Sequence, residues 1–224
     1  MTLGYGLIKF LHILLFVYWL GGDAGVYYSS RFVINPKLSR DARLTAAKIF
    51  ADLDMLPRYC LALMLTVGGL LSEYVGVRHE PWMLVAIVLL GPVWIVMVHL
   101  VHVKQGTAAG QTLARIDMYF RWLVVLAILA SVGYSWSSGR LAPYPWLAAK
   151  LLIFAGLIVC GLMIRINLPQ FMAGFRQLAA SGATADSDRD MIDGMAKCQP
   201  YVWLIWAGVA AAALIGILKP GGAG

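Results

Sequence analysis

Six apolar runs, each about as long as a bilayer is thick, constrain this chain more than any other feature. A helix rises ~1.5 Å per residue and the hydrocarbon layer is ~30 Å deep, so a spanning helix takes ~20 apolar residues. The runs lie at 10–30, 57–77, 81–103, 118–138, 145–164 and 201–218. The fourth has its apolar core at 122–138 and is carried back to Met118. None alternates polar and apolar residues with the period of two that barrel strands need. Backbone groups in hydrocarbon must find partners within the segment, so the runs are expected to be helices. The fold class that follows is all-α, a polytopic membrane bundle of six helices with the lipid bilayer as its solvent. With 61% hydrophobic and only 13% charged residues, the chain has too little polar surface to cover a water-soluble globule.

A formal charge of +7 could point to nucleic acid. It does not here, because the basic residues cluster between the apolar runs, as in membrane proteins, and no nucleic-acid partner is expected. Lys9, Arg78, Arg140, Lys150 and Lys219 fall on one side of the six-span arrangement, and the other 13 of the 18 Lys and Arg fall on the opposite side. The richer side is expected to be cytoplasmic, with both termini on the periplasmic or exterior face of a cell inner membrane. The first run keeps Lys9 and Asp23 and has no small-residue cleavage site, so it is read as a span rather than a cleavable signal. Cys60, Cys160 and Cys198 form no CxxC pair, which argues against a disulfide framework or a zinc site.

The cytoplasmic loops are expected at 31–56, 104–117 and 165–200. Ser39 is a plausible N-cap for a separate surface helix over 39–56 at the headgroups. Phe171, Phe175 and Leu178 recur at helical spacing in the last loop, followed by an expected mobile turn at 181–190. A repeat is also visible. Asp54-Met55-x-x-Arg58 opens the second run and Asp117-Met118-x-x-Arg121 opens the fourth, each followed by a short loop and a Pro-Trp pair, Pro81-Trp82 and Pro145-Trp146. This reads as a duplicated helix hairpin, with an Asp–Arg pair at i,i+4 in each copy. Such pairs serve equally as topology anchors.

Ionisable side chains inside spans are costly, so they mark candidate sites. They are His12, Asp23, His99, His102 and Lys150. A histidine facing a bundle interior suits haem or copper as a ligand, or it hydrogen-bonds a neighbouring helix. His99 and His102 share a helix face and are a candidate metal pair or an interface marker. Depth separates them from His12 by something on the order of 20 Å at ~1.5 Å per residue. Partners for His12 should therefore come from the outer layer: His79, Met83 or Lys150. Trp19, Trp82 and Trp146 would supply apolar walls. Gly21-Gly22 and Ala24-Gly25 flank Asp23 and should let another helix approach closely. No glycine-rich strand–turn–helix fingerprint is present, so NAD or flavin is not expected.

Helix 1 reads Lys9-Phe-Leu-His12, then Trp19-Leu-Gly21-Gly22, then Arg31-Phe32, and helix 5 opens Trp146-Leu-Ala-Ala-Lys150. Together with the Leu218-Lys219-Pro220 ending, this resembles the HemJ-type membrane protoporphyrinogen oxidases and the related CopD-like copper-resistance membrane proteins. The likeness covers roughly half the chain, in helices 1, 2, 5 and 6. It implies haem b on His12 and a catalytic role for Lys150. The cofactor-binding set would be His12, Trp19, Met83 and Arg31, with His12, His99 and His102 as candidate metal ligands. The family's histidine two residues before the lysine is Ala148 here, and helices 3 and 4 are additional. Three functions remain open. The first is a b-type haem protein that exchanges electrons with quinone or a membrane or periplasmic redox partner, or oxidises a porphyrinogen-like substrate. The second is a copper transport protein. The third is an accessory subunit, in a homo-oligomer or larger complex.

The basic-residue asymmetry makes a direct test. Reporter fusions at Arg43 and Asp186 should report cytoplasm, and fusions after Lys219 the outer side. A cytoplasmic C-terminus would contradict the span count or the orientation.

Overall fold

The structure, a computed structural model, describes residues 3–222. Six helices run in chain order: α1 Leu3–Val33, α2 Arg40–Tyr74, α3 Pro81–Val103, α4 Ala108–Ser137, α5 Pro145–Ser181 and α6 Ala185–Leu218. All six are long and apolar enough to cross a membrane. Local chemistry sets their starts. The Ser39 hydroxyl accepts from the Ala42 amide at 3.3 Å and that of Thr107 from Gly110 at 3.0 Å. Thr184 and Ser187 form a reciprocal capping box, and Pro81 and Pro145 open α3 and α5 where a missing N–H costs nothing. Gly182, at φ +95°, ends α5 in a conformation that side-chain-bearing residues rarely adopt.

The helices close into a ring. Each packs on its chain neighbours, α6 returns to α1, and α2 meets α5 across the middle. The two tightest pairs are the hairpins α1–α2 and α5–α6. Small residues make both possible. A Cβ on Gly22 would lie 2.9 Å from the Pro57 ring, and one on Gly25 3.2 Å from Leu53, so the expected close approach beside Asp23 is made by α2. On the other hairpin, a Cβ at Gly194 would meet the Phe171 backbone at 2.9 Å and one at Gly208 would meet Leu157 at 2.8 Å.

Five helices clearly outrun a bilayer. At 31, 35, 30, 37 and 34 residues, α1, α2, α4, α5 and α6 are ~45–56 Å long, against ~30 Å of hydrocarbon. The expected loops 31–56 and 165–200 are therefore mostly helix. The segment read as a separate surface helix is the first half of α2, and the turn expected at 181–190 narrows to 182–184. Likewise the loop expected over 104–117 gives way to α4 from Ala108. Pro57 and Pro200 look like helix starts in sequence, yet with Pro169 they lie inside helices that continue through them. An interior proline removes one hydrogen bond, a loss that packing against a neighbour offsets, as the buried Pro57 ring does on Gly22.

These extensions have their own core. Val33, Phe171, Leu178 and Met191 are buried together, with Phe50, Phe175 and Met195 packed on them. Arg43 crosses this cluster almost fully buried. Its Nε donates to the Val33 carbonyl at 2.8 Å and its Nη2 meets the Asp188 carboxylate at 2.8 Å. Arg40 Nε donates to the Leu178 carbonyl at 3.0 Å, and a second guanidinium nitrogen donates to Ala179. Two arginines from the start of α2 thus satisfy the last carbonyls of α1 and α5, where helix dipoles favour cations.

Replacing Arg43 with Ala strands the Val33 carbonyl and the Asp188 carboxylate. A loss of about 3 kcal/mol is expected. Thermal unfolding in mild detergent measures it, and an unchanged midpoint would show that the extensions do not depend on this contact.

Candidate functional site

Polar side chains within the bundle fall into two layers. The inner layer begins with the two Asp–Arg motifs. Both form their i,i+4 pairs, Arg58 with Asp54 and Arg121 Nε with Asp117 Oδ2 at 3.0 Å. Their surroundings differ. Asp54 and Arg58 retain 26% and 32% side-chain exposure, whereas Asp117 and Arg121 retain 0% and 4%. Side chains from adjacent helices account for this, since α5 and α3 bring Arg165 and Trp94 against the second pair. From α5, Arg165 reaches the same Asp117 oxygen at 2.5 Å. The Arg121 guanidinium sits 5.3 Å from the Trp94 ring, and Phe120 meets that ring edge-on. Arg58 lies within electrostatic reach of Arg121 and Arg165, and Asp23 of α1 lies within reach of Asp54 and Arg58. Three carboxylates and three guanidiniums, drawn from four helices, balance in formal charge. Asp117 Oδ1, Arg121 Nη2 and Trp94 Nε1 are buried with no hydrogen-bond partner among the described residues.

The outer layer holds fewer charges and, among the described residues, no carboxylate partner for its cation. His12 packs against α2 at Gly68, where a Cβ would stand 3.4 Å from its Cε1. Its Nδ1 is buried without a hydrogen-bond partner. Lys150 of α5 lies within electrostatic reach of His12. The Lys150 ammonium lies over Gly216 of α6, where a Cβ would come within 2.7 Å of Nζ. The imidazole from α1 thus packs over a glycine of α2, and the ammonium from α5 over a glycine of α6. Trp19, one face deeper on α1, is buried edge-on to Phe154 of α5 at 6.1 Å and walls the layer from below.

The expected site residues separate accordingly. His12 and Lys150 lie within electrostatic reach of each other, and Trp19, two turns along α1 from His12, packs on Phe154 of α5. Met83 is half-buried in the first turn of α3, a helix that touches α2 and α4. Arg31 is exposed at the far end of α1, roughly 28 Å from His12 at ~1.5 Å per residue. His79 is engaged elsewhere, with its Nδ1 2.6 Å from Glu73 Oε1. Trp82 is 70% exposed and walls nothing, while Trp146 is buried beneath the Lys219 ammonium. His99 hydrogen-bonds the Tyr59 hydroxyl at 2.8 Å. Tyr59 lies nine residues along α2 from Gly68, ~14 Å away, which keeps His99 in the inner layer. His102 is a turn further on, and among the described residues no three His, Cys, Asp or Glu side chains converge into a metal-binding set. Sequence reasoning missed Trp94 and Arg165 as members of the inner layer. Arg165 was visible only as one basic residue of many, and Trp94 carried no signal beyond being an indole in an apolar run.

An axial ligand of haem b would need an imidazole nitrogen free of other bonds, and among the described residues the buried Nδ1 of His12 has no hydrogen-bond partner. Lys150 is the cation within electrostatic reach, and the two side chains occupy the space over Gly68 and Gly216. No family model, characterised protein or solved structure matches this chain.

Asp117→Ala leaves Arg121 and Arg165 facing each other in a buried site and is expected to cost ~3–5 kcal/mol. The sequence-equivalent Asp54→Ala, on a part-exposed pair, is expected to cost under ~1 kcal/mol. Equal effects on thermal stability in detergent would show that the two motifs have not diverged in role.

Proposed function

We propose that this protein is an integral membrane b-type haem protein that handles electrons, with His12 as axial ligand and Lys150 as the cation beside it. The observation that carries the reading is the unpartnered, buried Nδ1 of His12 next to a lysine with no acidic partner. A neutral imidazole is an ordinary haem ligand, and Lys150 would supply counter-charge to the propionates of a bound haem. Trp19 and Phe154 exclude water from below, and the apolar surroundings tune the potential. Haem b, when bound, supplies reversible one-electron iron chemistry. The chain contributes the ligand, the orientation and the positive charge. The likeness to HemJ-type and CopD-like membrane proteins, carried by the Lys9–His12 and Trp146–Lys150 segments, supports the same assignment. Quinone, a periplasmic redox partner or a porphyrinogen-like substrate are the electron donors and acceptors consistent with such a site. We place the protein in a cell inner membrane with both termini on the non-cytoplasmic side, on the distribution of its basic residues. The alternative, copper handling by His12, Met83, Met97, His99, His102 and Met163, has less support, since among the described residues no three His, Cys, Asp or Glu side chains converge and His99 is hydrogen-bonded to Tyr59.

His12→Ala is expected to abolish or grossly shift the haem spectrum of the purified protein while membrane insertion persists. Lys150→Ala should retain haem and lower activity. A wild-type spectrum at full occupancy in His12→Ala would remove the assignment and favour the cofactor-free, accessory-subunit reading.

A further inference from the structure

At the far end of α1, away from His12, a cleft of about 280 Å³ is lined by Tyr28, Arg31, Phe32 and Asn35. Its polar lining is one-sided. Arg31 offers only donors, and among the described residues no carboxylate pairs with it. The Asn35 Oδ1 already accepts from the Lys37 amide at 3.0 Å, which leaves its NH₂ group to face outward as a donor. Tyr28 adds a hydroxyl. The negative end of the α1 dipole is muted, because the Val33 carbonyl is taken by Arg43, that of Ser30 by the Ile34 amide and that of Phe32 by the Asn35 amide. The apolar lining is aromatic, with Tyr28 and Phe32 edge-to-face at 5.2 Å and exposed by 62% and 41%.

Position adds to chemistry. With 31 residues, α1 is ~46 Å long, so its last turns stand beyond ~30 Å of hydrocarbon, at headgroup depth. Aromatic rings at that depth sit between acyl chains and headgroups, and a guanidinium there meets phosphate in a bidentate fork. We propose that this cleft binds the phosphodiester headgroup of an anionic glycerophospholipid, with Arg31 and Asn35 holding the phosphate and Tyr28 and Phe32 packing on its glycerol and upper acyl chain. A zwitterionic choline headgroup would bring a second cation beside Arg31 and find no carboxylate there. A small soluble phosphate ester would leave the aromatic wall unused.

Native mass spectrometry of the full-length protein in mild detergent tests this with phosphatidylglycerol, phosphatidylcholine of the same acyl chains, and glycerol 3-phosphate. Phosphatidylglycerol should bind at least about tenfold more tightly than the other two, because phosphatidylcholine sets a second cation beside Arg31 and glycerol 3-phosphate leaves the aromatic wall uncovered. Arg31→Gln should remove that preference, Arg31→Lys should keep part of it, and Arg115→Gln, at another exposed position, should leave it unchanged. If Arg31→Gln lowers thermal stability, Arg31→Lys and Asn35→Ala decide, each expected to weaken phosphatidylglycerol several-fold. Equal affinity for the two lipids, or a preference that survives Arg31→Gln, overturns the site. Glycerol 3-phosphate binding as tightly as the lipid assigns the cleft to a soluble phosphate ester instead.

Discussion

Placing charge among apolar helices is the constraint on which this architecture depends. An isolated ion in hydrocarbon is too costly to keep, and a buried pair persists only where geometry and further partners compensate its desolvation. The inner layer meets that condition. Asp117, with no exposed surface, is contacted by two arginines from different helices, Arg121 and Arg165. Arg121 in turn leans on the Trp94 ring. The two Asp–Arg pairs, Asp23 and Arg165 together cancel in formal charge, so one electrostatic node ties α1, α2, α4 and α5. In the outer layer, among the described residues, no carboxylate pairs with Lys150 and His12 Nδ1 has no hydrogen bond. That cation without a counter-charge underlies the functional proposal.

The same logic explains why the helices are so long. Once α2, α5 and α6 leave the bilayer they still carry apolar faces, and they bury them against one another around Phe171, Leu178 and Met191. The assembly is sealed by cations placed at helix C-termini. Arg43 and Arg40 close the ends of α1 and α5, so residues that orient the chain in the membrane also finish its helices. Arg31, at the same end of α1, is not used this way, and its freedom from internal partners leaves it available to the lipid surface.

Much of this was legible in sequence because lipid imposes a strong, one-dimensional code. Run length and polarity predict six spans, and i,i+4 spacing predicts both Asp–Arg pairs. Helical rise separates His12 from His99 in depth, and Ser39 is recognisable as a cap. What escaped is lateral. Depth along a helix does not say which helices touch, so Arg165 could not be connected to Asp117. Arg31 entered the site list through a resemblance that carried its position in the chain but not its distance from His12. Proline misled in a different way. Pro57 and Pro200 carry the signature of a first helical turn, but packing of the kind seen at Gly22 keeps the helices running through them, turning expected loops into a second core.

The most direct measurement of the central claim is haem content of the unmodified protein. The chain would be expressed with haem supply intact, purified in mild detergent and assayed by its reduced-minus-oxidised visible spectrum and by extraction of the pigment as a pyridine complex. The account predicts haem b in stoichiometric amount, with a reducible iron signal. Protein that is folded, thermally stable and free of pigment under those conditions would contradict it.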